Sequence, residues 1–459
     1  MRPSTGYETT IGYNEEFWQF SQVSSRRFSS LFSINSKMKF MNLYDQSNTS
    51  SLRICLLSYR SNPYCGGQGV YVRNLSRALK ALGHHVEVVS GPPYPTLDAD
   101  IPLHSLPSLD LYNLDDLFRI PTLREFCSPV NILEWLDVST MGFPEPLTFG
   151  MRAYDFLRNR LDDYDVIHDN QTLSYGIWAI GRRVPLVTTI HHPMTVDRDL
   201  AIREASKWWE KLKAIRWYSF IGMQKRVAQR LSRVITVSEY SANHICKEFH
   251  IPLHSFRVVP NGIDTWQFHP MPSVKRLPHR ILTTNSADMP LKGLAYLLEA
   301  VACLRKKKRR IELNVVGRPK KNGMIEKMVA GLNLRGSVRF LGRIDDREFV
   351  RQYARAGMAV IPSLYEGFGL PVGEAMACGV PVISTTGGAL PEVVGDAGLL
   401  VPPADASALE HAICHLLDHP ETAEKIGQAG LNRVGQLFTW ENAARQTAEI
   451  YREAIREFV

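Results

Sequence analysis

From residue 52 onward, short runs of branched and aliphatic residues alternate with longer stretches whose apolar positions recur every three or four residues. Parallel strands with crossover helices produce this alternation: a strand buried on both faces reads as a continuous apolar run, and the helix covering it as an amphipathic one. One series of runs occupies 52–59, 85–91, 165–169, 185–191, 233–238 and 256–260, and a second occupies 280–284, 311–317, 338–342, 358–363, 381–385 and 398–401. Between them FHPMPSVKRLPH (268–279) holds three prolines and almost no period, as a linker does. The pattern predicts an α/β protein with two doubly wound, Rossmann-like domains, over 51–267 and 268–437, and a helix over 438–459 that packs back onto the first. In such sheets ligands bind beyond the carboxyl ends of the strands, so two facing sheets enclose a cleft fed by loops from both.

Composition narrows this picture without changing it. Residues 1–50 show neither helical nor strand period and read as a disordered leader, with Met38 or Met41 as alternative starts. Ser25-Arg26-Arg27-Phe28 resembles a twin-arginine export signal, but the following SSLFSINSKMKF is polar where an apolar run is required. No stretch approaches the roughly 18 apolar residues of a spanning helix. The seven cysteines are scattered and never spaced as C-x-x-C, so neither a disulfide framework nor a zinc site is indicated, and a reducing cytoplasm fits best. Net charge is +8, of which the leader carries one unit, so the body is basic. Nucleic acid, anionic lipid and phosphorylated substrates all remain compatible with charge alone.

Three loops carry candidate chemistry. Gly66-Gly67-Gln68-Gly69 follows the first strand and opens a helix whose Val72, Leu75, Leu79 and Leu82 share a face. Glycines there let the backbone approach an anion at a helix N-terminus, although a plain tight turn has the same pattern. Lys292-Gly293 precedes a helix with Leu294, Leu297, Leu298, Val301 and Leu304 on one face. A lysine at a helix start is electrostatically misplaced unless it neutralises an anion. In SLYEGFGLPVGEAMACGVPVIST (363–385), Glu366 follows a buried strand, Pro371 suits a first helical position, and Glu374 falls in the first turn. Carboxylates accept hydrogen bonds from vicinal hydroxyls while backbone N–H groups suit phosphate, so the segment implies a ligand with polyol and anionic parts. Singly, Glu374 could serve the helix dipole and Glu366 the surface.

Together these residues resemble the retaining glycosyltransferases of family 4, which have the GT-B fold. The resemblance runs from about residue 52 to the C-terminus, carried by the E-x7-E element in PSLYEGFGLPVGEAMACGVPVI and supported by GGQG, HVEVV, VVPNGID and FTWENAARQTAEIY. It implies transfer of a sugar from a nucleotide-diphosphate donor to the hydroxyl of a glycan, lipid or small metabolite, with same-face attack, no protein nucleophile and no essential metal or other cofactor. By position it implies Glu366 on the donor sugar and Glu374 on the ribose, with the backbone of Phe368, Gly369, Leu370 and Pro371 lining sugar and phosphate. Lys292 would hold the diphosphate with backbone N–H groups around Gly67 and Gly69, and His191, in TTIHHP, would stand beside the sugar. The family usually carries an arginine shortly before the lysine; here Ser286 and Ala287 stand at those positions. Arg318, or Asn285 and Ser286, are the candidate substitutes.

The stretch 203–233 has nine basic and two acidic residues interleaved with Trp208, Trp209 and Trp217. It reads either as a peripheral membrane contact or as helices that pack their tryptophans inward. Nucleic acid is not expected, since no binding motif accompanies the charge. RKKKRR (305–310) closes a helix, where cations suit the dipole. Alternative uses of the same fold are a nucleotide-sugar epimerase and a catalytically silent sugar-nucleotide binding protein.

Overall fold

The computed structural model describes residues 50–62, 67–112, 119–284 and 289–458. Almost all of the expected leader, Gly66, Asn285 and Ser286 lie outside these residues. From Leu52 the described chain forms one compact unit.

Strands β1 (Arg53–Ser58), β2 (His85–Ser90), β3 (Leu103–Ser105), β4 (Val166–Asn170), β5 (Leu186–Thr189), β6 (Val234–Thr236) and β7 (Phe256–Val258) form a sheet in the order β3-β2-β1-β4-β5-β6-β7. Strands β8 (Leu277–Thr284), β9 (Glu312–Val316), β10 (Val338–Gly342), β11 (Ala356–Ile361), β12 (Val382–Thr385) and β13 (Leu399–Val401) form a second, in the order β10-β9-β8-β11-β12-β13. Every strand pairing is parallel. In both sheets the order reverses beside the first strand, which opens a crevice for ligands at the carboxyl edge. The registers align these edges: Ser58 faces Ser90, Asn170 faces Thr189, and Thr284 faces Val316. Loops that are distant in sequence therefore emerge side by side.

The helix Trp440–Phe458 packs against the first sheet, not the second. Its Trp440, Ala443, Ala444 and Tyr451 are buried with Val72, Leu75 and Leu79 of the helix Gly67–Ala81. Just before it, the Ile263 N–H donates to the Phe438 carbonyl at 2.7 Å, tying the end of the chain to the segment between the sheets.

Three features differ from the sequence reading. Strand β8 starts at Leu277 and takes in Pro278, because β11 supplies a partner for its first residue and a proline near a strand start costs no ladder bond. The segment 92–160, where the sequence pattern places no strand, holds β3 and the helices Pro129–Ser139 and Glu145–Leu157. The stretch 203–233 is broken into Trp208–Trp217, a short turn and Ile221–Ala228. There Trp217 stacks inward on Phe143 at 5.2 Å, as the packing alternative expects, while Trp208 stays 74% exposed.

Candidate functional site

At the carboxyl edge of the second sheet, the chain leaving β11 turns through Ser363 to Glu366, and the chain leaving β8 returns through a single turn at Pro290–Lys292. Gly293 joins that turn to the helix Leu294–Lys306 at φ +65, and a Cβ there would lie 1.9 Å from the Pro362 carbonyl oxygen. Only glycine lets the two loops approach so closely. The result is a direct ion pair: Lys292 Nζ donates to Glu366 Oε1 at 2.6 Å, and Ser363 Oγ donates to the same oxygen at 2.8 Å. Two groups 74 residues apart thus share one partly buried spot.

Glu374 lies on the helix Leu370–Ala377, entered through Gly369 at φ +104. It sits in the second turn, not the first, because the helix already begins at Leu370. Its carboxylate accepts from Tyr353 OH at 3.1 Å, which replaces the dipole explanation with a specific partner. Burial, partly offset by that hydrogen bond, raises the carboxyl to about 7. A group raised above its ordinary value contributes fully below that ordinary value, and its contribution is lost as pH climbs through the folded value. Glu374→Gln, which stays neutral, is therefore expected to melt above wild type at pH 8 and level with it at pH 5. An equal change at both pH values would remove the buried-carboxyl explanation.

Across from this loop stands His191, just after β5. Its backbone N–H donates to Gln171 Oε1 at 2.9 Å and its Nε2–H to Asn170 Oδ1 at 2.8 Å, which leaves Nδ1 as an acceptor. Burial, with the neighbouring His192 and His168, lowers the imidazole to about 3, so it is neutral at ordinary pH. The Tyr71 ring meets it edge-on at 4.7 Å, and Tyr71 OH shares a hydrogen bond with Thr189 at 3.0 Å. Tyr71 comes from the helix whose first turn contains Gly67 and Gly69, so the wall of His191 and that helix start belong to one element.

The two sides touch. A Cβ on Gly367 would come within 3.0 Å of the His191 carbonyl oxygen. The Gly367 carbonyl accepts from Ser238 and Ser241 hydroxyls at 2.8 and 3.1 Å, and the Glu392 carboxylate accepts from the N–H groups of Glu239 and Tyr240. A carboxylate from the second sheet thereby caps a helix of the first.

Some expected residues do not join. Arg318 packs its guanidinium over Gly342 at the end of β10. Pro371 has no N–H to give; its carbonyl accepts from Tyr353 OH at 3.4 Å. The Phe368 side chain is buried against Phe438 at 5.6 Å, so only its backbone is available. Conversely, sequence reasoning passed over Asn170, Tyr71, Ser363 and Tyr353. DNQ (169–171) at a strand end was the one legible signal among them.

Two Rossmann-like sheets with a cationic, carboxylate-bearing loop on one edge and a neutral histidine on the other define a glycosyltransferase of the GT-B class. The chain belongs to glycosyltransferase family 4: residues 65–267 match that family, and residues 278–419 match the glycosyl transferases group 1. The MMP alpha-(1->4)-mannosyltransferase of Mycolicibacterium hassiacum is 46% identical over 88% of this chain and 98% of its own length. A D-inositol 3-phosphate glycosyltransferase from Streptomyces bingchenggensis is 26% identical over 88% of this chain and 90% of its own. Among solved structures, sucrose-phosphate synthase from Thermosynechococcus elongatus superposes with a TM-score of 0.68 at 26% identity, over 88% of this chain and all of that one, 100%. Anabaena HepE in complex with UDP and glucose shares the fold at a TM-score of 0.63 and 19% identity, covering 88% and 100% of the two chains.

Proposed function

We propose that this glycosyltransferase moves a hexose, with mannose the first candidate, from a nucleotide-diphosphate sugar to an acceptor hydroxyl with retention of configuration. The observation that carries this is the Lys292–Glu366 pair on a loop whose next residue, Gly367, meets the His191 carbonyl at the junction of the sheets. On donor binding Lys292 exchanges its contact with Glu366 for the diphosphate, and Glu366 turns to the sugar hydroxyls. Glu374 takes the ribose, and neutral His191 offers Nδ1 to a sugar hydroxyl. The bond from the anomeric carbon to phosphate breaks, the acceptor oxygen attacks on the face just vacated, and its proton passes to the leaving phosphate. Fixed positive charge at Lys292 and the two helix starts stabilises that leaving group without a bound metal. The similarity to an alpha-(1->4)-mannosyltransferase supports mannose and a secondary hydroxyl as the acceptor atom. Proton NMR of the product formed from GDP-mannose tests it: an α-linked product is expected, and a β-linked one excludes retention. Binding of GDP-mannose with neither hydrolysis nor transfer to any saccharide or lipid acceptor excludes this proposal.

Among the described residues no helix is long and apolar enough to cross a membrane. Trp208, Trp209, Leu212 and Ile215 nonetheless lie exposed on one helix beside exposed Lys207, Lys211 and Lys213. This supports peripheral contact with an anionic bilayer. Co-sedimentation with anionic vesicles at low salt is expected, and is expected to fall with Trp208→Ala. A protein that stays in the supernatant at low salt has no such contact.

A further inference from the structure

We propose that Gln171 is a positioning residue for transfer: from a loop of unusual backbone it clamps the peptides of His191 and His192 and, with Asn170, presents one tautomer of His191 to the donor sugar. This rests on the transfer reading above. The sheet itself gives His191 little support. The β4–β5 ladder ends at the pair Asn170 and Thr189, and the β6 side reaches only to Ile190, whose N–H donates to the Ile235 carbonyl at 2.8 Å. Gln171 supplies the next rung with its side chain: Oε1 accepts from the His191 N–H at 2.9 Å, and Nε2 donates to the His192 carbonyl at 3.1 Å. Between those two bonds lies the His191 carbonyl, the group that meets Gly367 of the other sheet's loop.

The loop holds this clamp at a cost in backbone strain. Gln171 and Leu173 have φ +58 and +53, a region that residues other than glycine seldom enter, and both are buried. Such strain persists only where the surroundings over-determine it, and it gathers at functional sites. Here the Asp169 carboxylate accepts from the N–H groups of Thr172 and Leu173 at 3.3 and 3.0 Å. Gln224, on the helix Ile221–Ala228, donates through Nε2 to the Gln171 and Thr172 carbonyls at 3.2 and 3.3 Å. A loop that only joined β4 to the helix Tyr175–Ile180 would be less strained with glycine at 171, so the strain retains the side chain.

Asn170 completes the arrangement. Ser58 Oγ donates its one proton to the Arg60 carbonyl at 3.2 Å, so toward Asn170 it can only accept, from Nδ2 at 3.4 Å, and Oδ1 is thereby turned to His191. His191 must then carry its proton on Nε2, 2.8 Å away, and keep Nδ1 as the acceptor. The titratable groups that bear on this ring are His192 and His168, which lower it, and Tyr71, which meets it edge-on. An uncharged amide at position 170 leaves the imidazole neutral, whereas a carboxylate there would draw a second proton onto Nδ1.

The test separates the side chain of Gln171 from its backbone. Gln171→Gly and Gln171→Ala both remove the clamp, but only glycine is unstrained at φ +58, so the glycine variant is expected to have the higher urea midpoint of the two. Turnover of GDP-mannose, as transfer to an α-1,4-linked mannotriose and as hydrolysis without acceptor, is expected to fall about tenfold in both, with no recovery in the glycine variant. Asn170→Asp is expected to turn over more slowly throughout and to show an acid limb in kcat/KM, roughly between pH 5 and 8, that wild type lacks. Turnover that recovers together with stability in Gln171→Gly, or a pH profile of wild-type shape in Asn170→Asp, overturns the proposal and leaves the transfer reading standing. A wild-type protein that neither transfers from GDP-mannose nor hydrolyses it overturns the transfer reading and this inference with it.

Discussion

Lys292→Ala is expected to lower the rate of transfer roughly 100- to 1000-fold, the usual cost of losing one preorganised charge at a developing anion. The ammonium group is held 2.6 Å from Glu366 by a turn that ends in Gly293 at φ +65, so its placement is set before any donor arrives. Removing it has two consequences with one sign. The leaving diphosphate loses its fixed cation, and Glu366, whose side chain is only 13% exposed, loses the partner that balances it. Lys292→Arg should recover little, since a planar guanidinium cannot occupy the site of a compact ammonium that shares Glu366 Oε1 with Ser363. Initial rates, together with donor affinity by calorimetry, check this. Turnover near wild type in Lys292→Ala would take the diphosphate away from this residue.

Trp440→Ala is expected to destabilise the protein by about 3–5 kcal/mol, the range for truncating a buried tryptophan. Trp440 is 9% exposed, its ring centroid lies 5.8 Å from that of Tyr71, and its atoms would stand 2.5 Å from a Cβ on Gly262. It wedges the last helix between the first sheet and the segment that links the sheets. The damage should reach the chemistry as well, because Tyr71 is also the edge-on wall of His191. A lower urea midpoint accompanied by a lower kcat is expected. An unshifted midpoint would show that the last helix is not needed for the fold of the first sheet, and an unshifted kcat that Tyr71 does not depend on Trp440.

Much of this arrangement is legible along the chain, for reasons that differ from residue to residue. The buried strands of both sheets announce themselves because parallel strands with two covered faces must be apolar throughout. The helix over Leu294–Lys306 shows its face by spacing alone. Glu366, Glu374 and Lys292 are legible because a strand end followed by glycine and a helix start is a local pattern. The helices within 92–160 are not, since their sides are half exposed and their apolar positions are interrupted by aromatic and charged groups. Nor is β3, three residues long and at a sheet edge.

What the sequence determined by itself is the alternation of elements, the two series of strands, and the residue types at each loop, because these depend on periods of two to four residues and on backbone conformations that glycine and proline announce. Only the tertiary structure decided who meets whom. Lys292 finds Glu366, Tyr353 finds Glu374, Asn170 orients His191, and Glu392 caps a helix of the other sheet through contacts 74, 21, 21 and about 150 residues apart. Those pairings follow from strand order and register, which are set by the packing of whole sheets. The same packing sets Arg318, the candidate substitute for the missing arginine, over Gly342.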